Sequence, residues 1–140
     1  YHRPGALPST CLFVRNNPHY VGTIARFPNA MTNDPSRPVR DLIRGRDRAA
    51  LACLLPGDTS PHPYVSLVLV AVDHDLSPIL LLSDLAEHTK AIAADPRISL
   101  LFDGTAGLDQ PLTGSRLSLV GRAAPTGDER HGQAVVEVVR

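Results

Sequence analysis

Side chains that could bind an anion are concentrated in one short segment, LSDLAEHTK. Hydroxyl groups and a histidine ring nitrogen can donate hydrogen bonds, and a lysine adds a positive charge. Asp84 lies three residues before Glu87, the spacing of a capping box, which predicts a helix that begins at Leu85. Helix N-termini favour anions through their free N–H groups and their dipole. The segment therefore predicts a phosphate-binding site formed by Ser83, His88, Thr89 and Lys90.

The predicted helix also has polar residues on the face that should meet the core. At about 100° per residue, one face carries Leu85, His88, Thr89, Ile92 and Ala93. An inward polar group without a partner costs about 1 to 3 kcal/mol, so each must be satisfied by the protein or by a ligand. A helix cap with a histidine bonded inside the core is the alternative to an anion site.

No other segment predicts a metal site or a catalytic residue. Asp73, His74 and Asp75 resemble metal ligands, but they fall in a predicted hairpin turn, where short polar residues are expected. Cys11 and Cys53 have neither a metal-binding spacing nor the number needed for a disulfide framework. No nucleophile elbow, dinucleotide fingerprint or phosphate-binding loop is present.

Most of the chain is predicted to form strands around these residues. Pro38 after Ser36 favours a helix start, and apolar residues then recur at helical spacing as far as Pro56. Later apolar runs, bounded by proline, glycine and aspartate, predict strands. The predicted elements are a helix over Val39–Leu55, strands Tyr64–Val72 and Ile79–Leu82, a helix from Leu85 to Asp95, and strands Ile98–Phe102 and Arg116–Ala123. The terminal VVEVV could be strand or helix.

Residues 1–38 are predicted to be a proline-rich tail, because they hold six of the 13 prolines and no sustained hydrophobic period, although CLFV could pair locally. The remaining residues, 39–140, are predicted to form one domain. The formal net charge is zero, which offers no attraction to nucleic acid or to a membrane surface. The apolar runs are shorter than the roughly 18 residues of a membrane span, and the low cysteine content favours a cytoplasmic setting. Five arginines between residues 37 and 48 are interpreted as a solvated helix face.

The stretch from PYVSLVLVAVDHD to LLFDG, followed by DQPLTGSRLSLVGRA, resembles the pyridoxamine 5′-phosphate oxidase-like proteins, in particular the branch related to haem utilisation. The resemblance runs from roughly residue 39 to 126. It implies a mainly β fold, a Greek-key FMN-binding split barrel with flanking helices, and a homodimer with FMN at the subunit interface. Because family members continue for further strands after GRAAPT, it also predicts a barrel that is incomplete at its C-terminus.

The resemblance also implies which residues contact the cofactor. Ser66 takes the place of a phosphate-binding arginine, and His88, Thr89 and Lys90 meet the phosphate. Arg116 lies near the flavin edge. The cofactor-binding set that the resemblance implies is Ser66, Leu67, Val68, Leu82, Ser83, His88, Thr89, Lys90 and Arg116.

Three functions stay open at this point. The first is an FMN-dependent oxidoreductase that acts on an unidentified small molecule. The second is a non-catalytic split-barrel module that binds flavin or haem. The third is a degenerate fragment without activity. None of them assigns a catalytic residue.

Overall fold

The computed structural model describes the backbone of residues 9–16 and both backbone and side chains of residues 37–125. The elements are strand β1 (Ser9–Asn16), helix α1 (Arg37–Arg44), strands β2 (Arg48–Leu55), β3 (His62–Val72) and β4 (Pro78–Ser83), helix α2 (Glu87–Ala94), and strands β5 (Arg97–Asp103) and β6 (Arg116–Pro125). A short 3₁₀ turn, Pro111–Thr113, precedes β6. The terminal VVEVV lies outside the described residues.

The six strands form a closed barrel in the order β1-β4-β3-β2-β5-β6, and every neighbouring pair is antiparallel. The chain therefore passes from β4 to β5 across the barrel, and α2 forms this crossover. The predicted mainly β split barrel with flanking helices is confirmed. No helix among the described residues is both long and apolar enough to cross a membrane.

The expectation of an incomplete barrel is wrong for the described strands. Strand β1 pairs with β4 on one side and with β6 on the other, so β6 is not left with an open edge. The tail prediction for residues 1–38 is likewise wrong for residues 9–16. The apolar run CLFV, which could pair locally, lies in this strand.

The predicted helix over residues 39–55 is correct only as far as Arg44. Helix α1 ends at Arg44, where the Gly45 N–H donates to the Asp41 carbonyl, and the following RAALACLL is strand β2. A short apolar run fits both helical and strand periods, and pairing with β3 and β5 decides between them.

The core fills the barrel interior through period-two alternation along the strands. In β5, Ile98, Leu100 and Phe102 are buried while their neighbours are more exposed. The two helices add Leu42 and Ile43 from α1, and Ala91 and Ile92 from α2. The core therefore holds α2 against the barrel.

Candidate anion and cofactor site

The centre of the candidate site is a hydrogen bond between Ser66 Oγ and His88 Nδ1, which are 3.1 Å apart. Ser66 lies on β3 in the same inward-facing row as Val68 and Val70. His88 lies in the first turn of α2, and both side chains are half-buried. The structure thus brings together two predicted site residues that are 22 positions apart in sequence.

Burial lowers the pKa of His88 from its ordinary value of 6.5. The imidazole is therefore mainly neutral at pH 7, with one N–H and one acceptor nitrogen. Whichever partner donates in the bond to Ser66, the pair retains one other N–H or O–H hydrogen. A neutral serine–histidine pair of this kind can donate one hydrogen bond to an approaching anion.

Because the His88 pKa is lowered in the folded state, stability should depend on pH. Above about pH 6.5 the ring is neutral both folded and unfolded, so it contributes no pH dependence. As the pH falls below that value, the unfolded chain binds the proton more readily, and the free energy of unfolding decreases until the folded pKa is reached. Urea unfolding at pH 7.5 and 5.5 should show a smaller decrease for His88→Gln than for the unaltered protein. Equal decreases would contradict the shifted pKa.

The start of α2 differs from the predicted capping box. The helix begins at Glu87, its N-cap is Ala86, and no side chain caps it. Ser83 organises the preceding turn instead, because its Oγ accepts from the Leu85 N–H at 3.3 Å and its carbonyl accepts from the Ala86 N–H at 3.1 Å. The prediction of Asp84 as the cap is wrong.

Thr89 and Lys90 both have partners within the protein. The Thr89 hydroxyl donates to the Ser83 carbonyl at 2.6 Å, which fixes the end of β4 against α2. Lys90 Nζ lies 2.7 Å from Glu87 Oε1, in a pair with both side chains exposed. An exposed pair of this kind contributes little, so a phosphate could replace the glutamate at small cost.

The predicted buried face of α2 is partly correct. His88, Thr89 and Ile92 are shielded as expected, but Leu85 is 64% exposed and Ala93 is exposed as well. Since the helix starts two residues later than predicted, the fully buried residue beside Ile92 is Ala91. The inward row therefore runs through positions 88, 91 and 92.

The other predicted contacts lie in different environments. Val68 and Leu82 are buried in the core, so only their backbone could reach a ligand, whereas Leu67 is 70% exposed on the outside of β3. Arg116 donates to the Leu112 carbonyl and lies at the start of β6, beside Asp103. The chain leaves α2 at the other end of β6, where the Ala123 N–H donates to the Pro96 carbonyl. Among residues 37–125, Arg116 forms no hydrogen bond with Ser66 or His88.

The outside of the barrel carries an apolar surface whose residues were not predicted from the sequence as a surface. We call it the outer apolar face. It is formed by Val65, Leu67, Leu69, Leu101 and Val120, each at least 41% exposed. Ala50 lies between Leu67 and Leu101 in the register, which makes the surface continuous across β3, β2 and β5. The unbroken apolar run of β3 was the available signal, because such a run predicts a strand covered on both faces.

Comparison with known proteins agrees with this fold. The sequence model of the pyridoxamine 5′-phosphate oxidase family matches residues 36–139. A solved structure with 31% identity superposes with a TM-score of 0.64, covering 76% of this chain and 72% of that one. A protein of unknown function from Agrobacterium tumefaciens superposes with a TM-score of 0.66 at 28% identity, covering 81% of this chain and 48% of that one.

The barrel belongs to the split-barrel class. The chain is a member of the pyridoxamine 5′-phosphate oxidase family, since the family match covers most of its length. A curated relative, the chloroplastic non-canonical haem oxygenase HOZ of Arabidopsis thaliana, is 45% identical over 62 residues. That match covers 44% of this chain and only 18% of the relative, so the chain spans a small part of its length. This relative supports the predicted haem-related branch.

Proposed function

We propose that this protein binds FMN and acts as a flavin-dependent oxidoreductase-like protein on an unidentified small molecule. The observation that supports this most is the half-buried hydrogen bond between Ser66 and His88 at the start of α2. The bound flavin supplies the redox chemistry. The protein contributes phosphate binding, orientation of the ring and exclusion of water. The buried free thiol of Cys53 is consistent with a reducing cytoplasmic setting.

The donors at the site fit a phosphate in number and kind. The Ser66–His88 pair retains one donor hydrogen, and Lys90 supplies a cation that is held only by an exposed glutamate. The Ser83 hydroxyl accepts from the Leu85 amide, so its own hydrogen is available to donate. In this proposal Thr89 has a positioning role, because its hydroxyl is already bound to the Ser83 carbonyl.

The phosphate would itself change the histidine. A dianionic group beside His88 favours the charged imidazolium and offsets the burial that lowers its pKa. Binding of FMN is therefore coupled to proton uptake and should weaken as the pH rises from 6 to 8. Leu67 and the backbone of Val68 and Leu82 would line the flavin ring, and Arg116 would lie near the ring edge.

We also propose that the outer apolar face is the contact of a homodimer, as in the family resemblance. Its residues are aliphatic and continuous over β3, β2 and β5, with Val120 on the neighbouring β6, and water contact at such a surface is unfavourable. Leu67 lies in this face and is the sequence neighbour of Ser66, so dimerisation would place the partner chain close to the phosphate site. Arg116 would then reach the flavin edge from the partner chain.

Leu67→Asp is expected to convert the dimer to a monomer, because it places a charge in the middle of an apolar contact. Sedimentation velocity measures the change directly. The matched control is His74→Asp, which adds the same carboxylate at an exposed turn away from this face. An unaltered protein that sediments as a monomer, or a Leu67→Asp variant that remains dimeric, would contradict the proposed interface.

A non-catalytic module that binds haem is the second candidate function. The similarity to HOZ, which is named a haem oxygenase, favours it. The absorbance spectrum of the purified protein, with added FMN or haemin, distinguishes the candidates. Bound flavin that NAD(P)H reduces supports the oxidoreductase, and a haem spectrum without flavin supports the module. A protein that binds neither is the degenerate fragment, and both proposals then fail.

A further inference from the structure

A second recess lies away from the serine–histidine pair, between the α1–β2 turn and the end of β3. It encloses about 620 Å³ and is lined by Arg44, Gly45, Arg46, Asp47, Val70, Ala71 and Val72. This volume is within the range of about 300 to 1,000 Å³ typical of small-molecule sites. Nothing in the proposed FMN site uses these residues.

The floor of this recess is apolar and fixed. Val70 and Ala71 are 2% and 4% exposed and point to opposite faces of β3, so the barrel fixes their positions, and the half-buried Val72 offers the recess its apolar side chain. The Val70 N–H donates to the Asp47 carbonyl at 2.9 Å, which ties the α1–β2 turn to β3. A rigid apolar floor suits the hydrocarbon part of a ligand.

The rim of the recess has cations in excess. The one acidic side chain of its lining, Asp47, is held by Arg48 through bonds of 2.8 and 2.9 Å, which also lower the Asp47 pKa. Arg48 is not part of the lining, and among residues 37–125 neither Arg44 nor Arg46 forms a salt bridge with a carboxylate. Arg44 donates to the His74 carbonyl at 3.1 Å, a bond that leaves its charge uncompensated.

Arg46 is the second cation of the rim. Among residues 37–125 its guanidinium forms no hydrogen bond and no salt bridge. The positive charge of Arg46 interacts with the carboxylates of Asp47 and Asp103, which are hydrogen-bonded to Arg48 and to the Thr105 N–H. The nearby turn also carries Asp73 and Asp75, whose carboxylates accept from the amides of His74 and Ser77. A guanidinium that forms no hydrogen bond within the described residues, beside a recess, is suited to binding a carboxylate or a phosphate.

We infer that this recess binds a small organic oxyanion, in which a carboxylate or phosphate is held by Arg44 and Arg46 and an apolar body rests against Val72 at the end of β3. The site is independent of the FMN site, and it explains two of the arginines that sequence reasoning assigned to a solvated helix face.

Nuclear magnetic resonance of the full ¹⁵N-labelled chain tests this inference. The probes are phenyl phosphate and benzoate, each of which carries an oxyanion and an apolar ring. Inorganic phosphate represents the anion alone, and phenol represents the apolar ring alone. The expected result is a saturable shift of the Arg44 and Arg46 Nε–H signals and the Val70–Val72 amides with phenyl phosphate or benzoate, and none with phenol. Shifts that do not saturate with either probe, or that phenol reproduces, would overturn the inference.

Substitutions inside and outside the recess test whether the probe binds there. Arg46→Gln should weaken binding of the better probe by at least about fivefold, the scale of one charge-assisted bond. Arg37→Gln removes the same charge from α1 outside the recess, where Arg37 faces Asp41 at 3.8 Å, and should leave affinity within about twofold. Arg44→Gln provides a second loss-of-binding variant if Arg46→Gln unfolds. Equal losses in the Arg37 variant and the recess variants would overturn the assignment, as would a loss of probe binding in the His88→Ala/Lys90→Ala protein.

Discussion

Replacing Phe102 with alanine is expected to lower the free energy of unfolding by about 3 to 5 kcal/mol. Phe102 lies on β5 with 0% exposure, opposite Leu117 of β6, and is among the largest fully buried side chains of the barrel. Removing the ring loses its buried apolar area and leaves a cavity that neighbouring strands, fixed by their hydrogen bonds, cannot fill.

Urea unfolding followed by circular dichroism measures this change. Leu112→Ala, at a side chain 78% exposed, is the control and should change stability by no more than about 0.5 kcal/mol. A loss below about 1 kcal/mol for Phe102→Ala would mean that this ring is not at the centre of the core. The fold described above would then be wrong around β5.

The double substitution His88→Ala/Lys90→Ala is expected to weaken FMN binding by about 1 to 3 kcal/mol, or about 5- to 150-fold. It removes the ring that is bonded to Ser66 and the cation in the same helical turn. In the proposed site, the charged bonds to the phosphate would be lost, while the contacts of the flavin ring with Leu67 would remain.

Fluorescence titration of FMN gives both affinities. Arg97→Ala is the matched control, because it removes a cation near the other end of α2, where Arg97 binds Asp95 and lowers the pKa of that carboxyl to about 2. Its FMN affinity should equal that of the unaltered protein. If the double variant binds FMN with unchanged affinity, His88 and Lys90 do not bind the phosphate.

The sequence predicted those parts of the fold that depend on local patterns. Strands β3 to β6 were found close to their observed bounds, because their apolar runs contain valine or isoleucine, residues that favour strands, and are bounded by turn residues. Strand β2 was not found, since RAALACLL fits a helix equally well and only pairing with β3 and β5 selects the strand. Strand β1 was missed for the same reason. Its pairing with β4 and β6 cannot be predicted from a proline-rich segment.

The sequence predicted where the candidate anion site lies, at the start of α2, but it did not predict the hydrogen bonds within that site. Counting residues along a helix placed His88 and Thr89 on the inward side, and the structure agrees. The hydrogen bond from His88 to Ser66 joins α2 to β3, and no spacing in the sequence encodes it. The capping role given to Asp84 was wrong because Ser83 forms the turn before the helix begins.

The central claim is that the phosphate of FMN binds at Ser66, His88 and Lys90. Its most direct test compares the affinities of FMN and riboflavin, which lacks the phosphate, in the unaltered protein and in His88→Ala/Lys90→Ala. We expect the unaltered protein to prefer FMN by about 5- to 150-fold and the variant to lose most of that preference, with riboflavin affinity unchanged. Equal affinity for the two flavins in the unaltered protein, or the same preference for FMN in the variant, would contradict the proposed site.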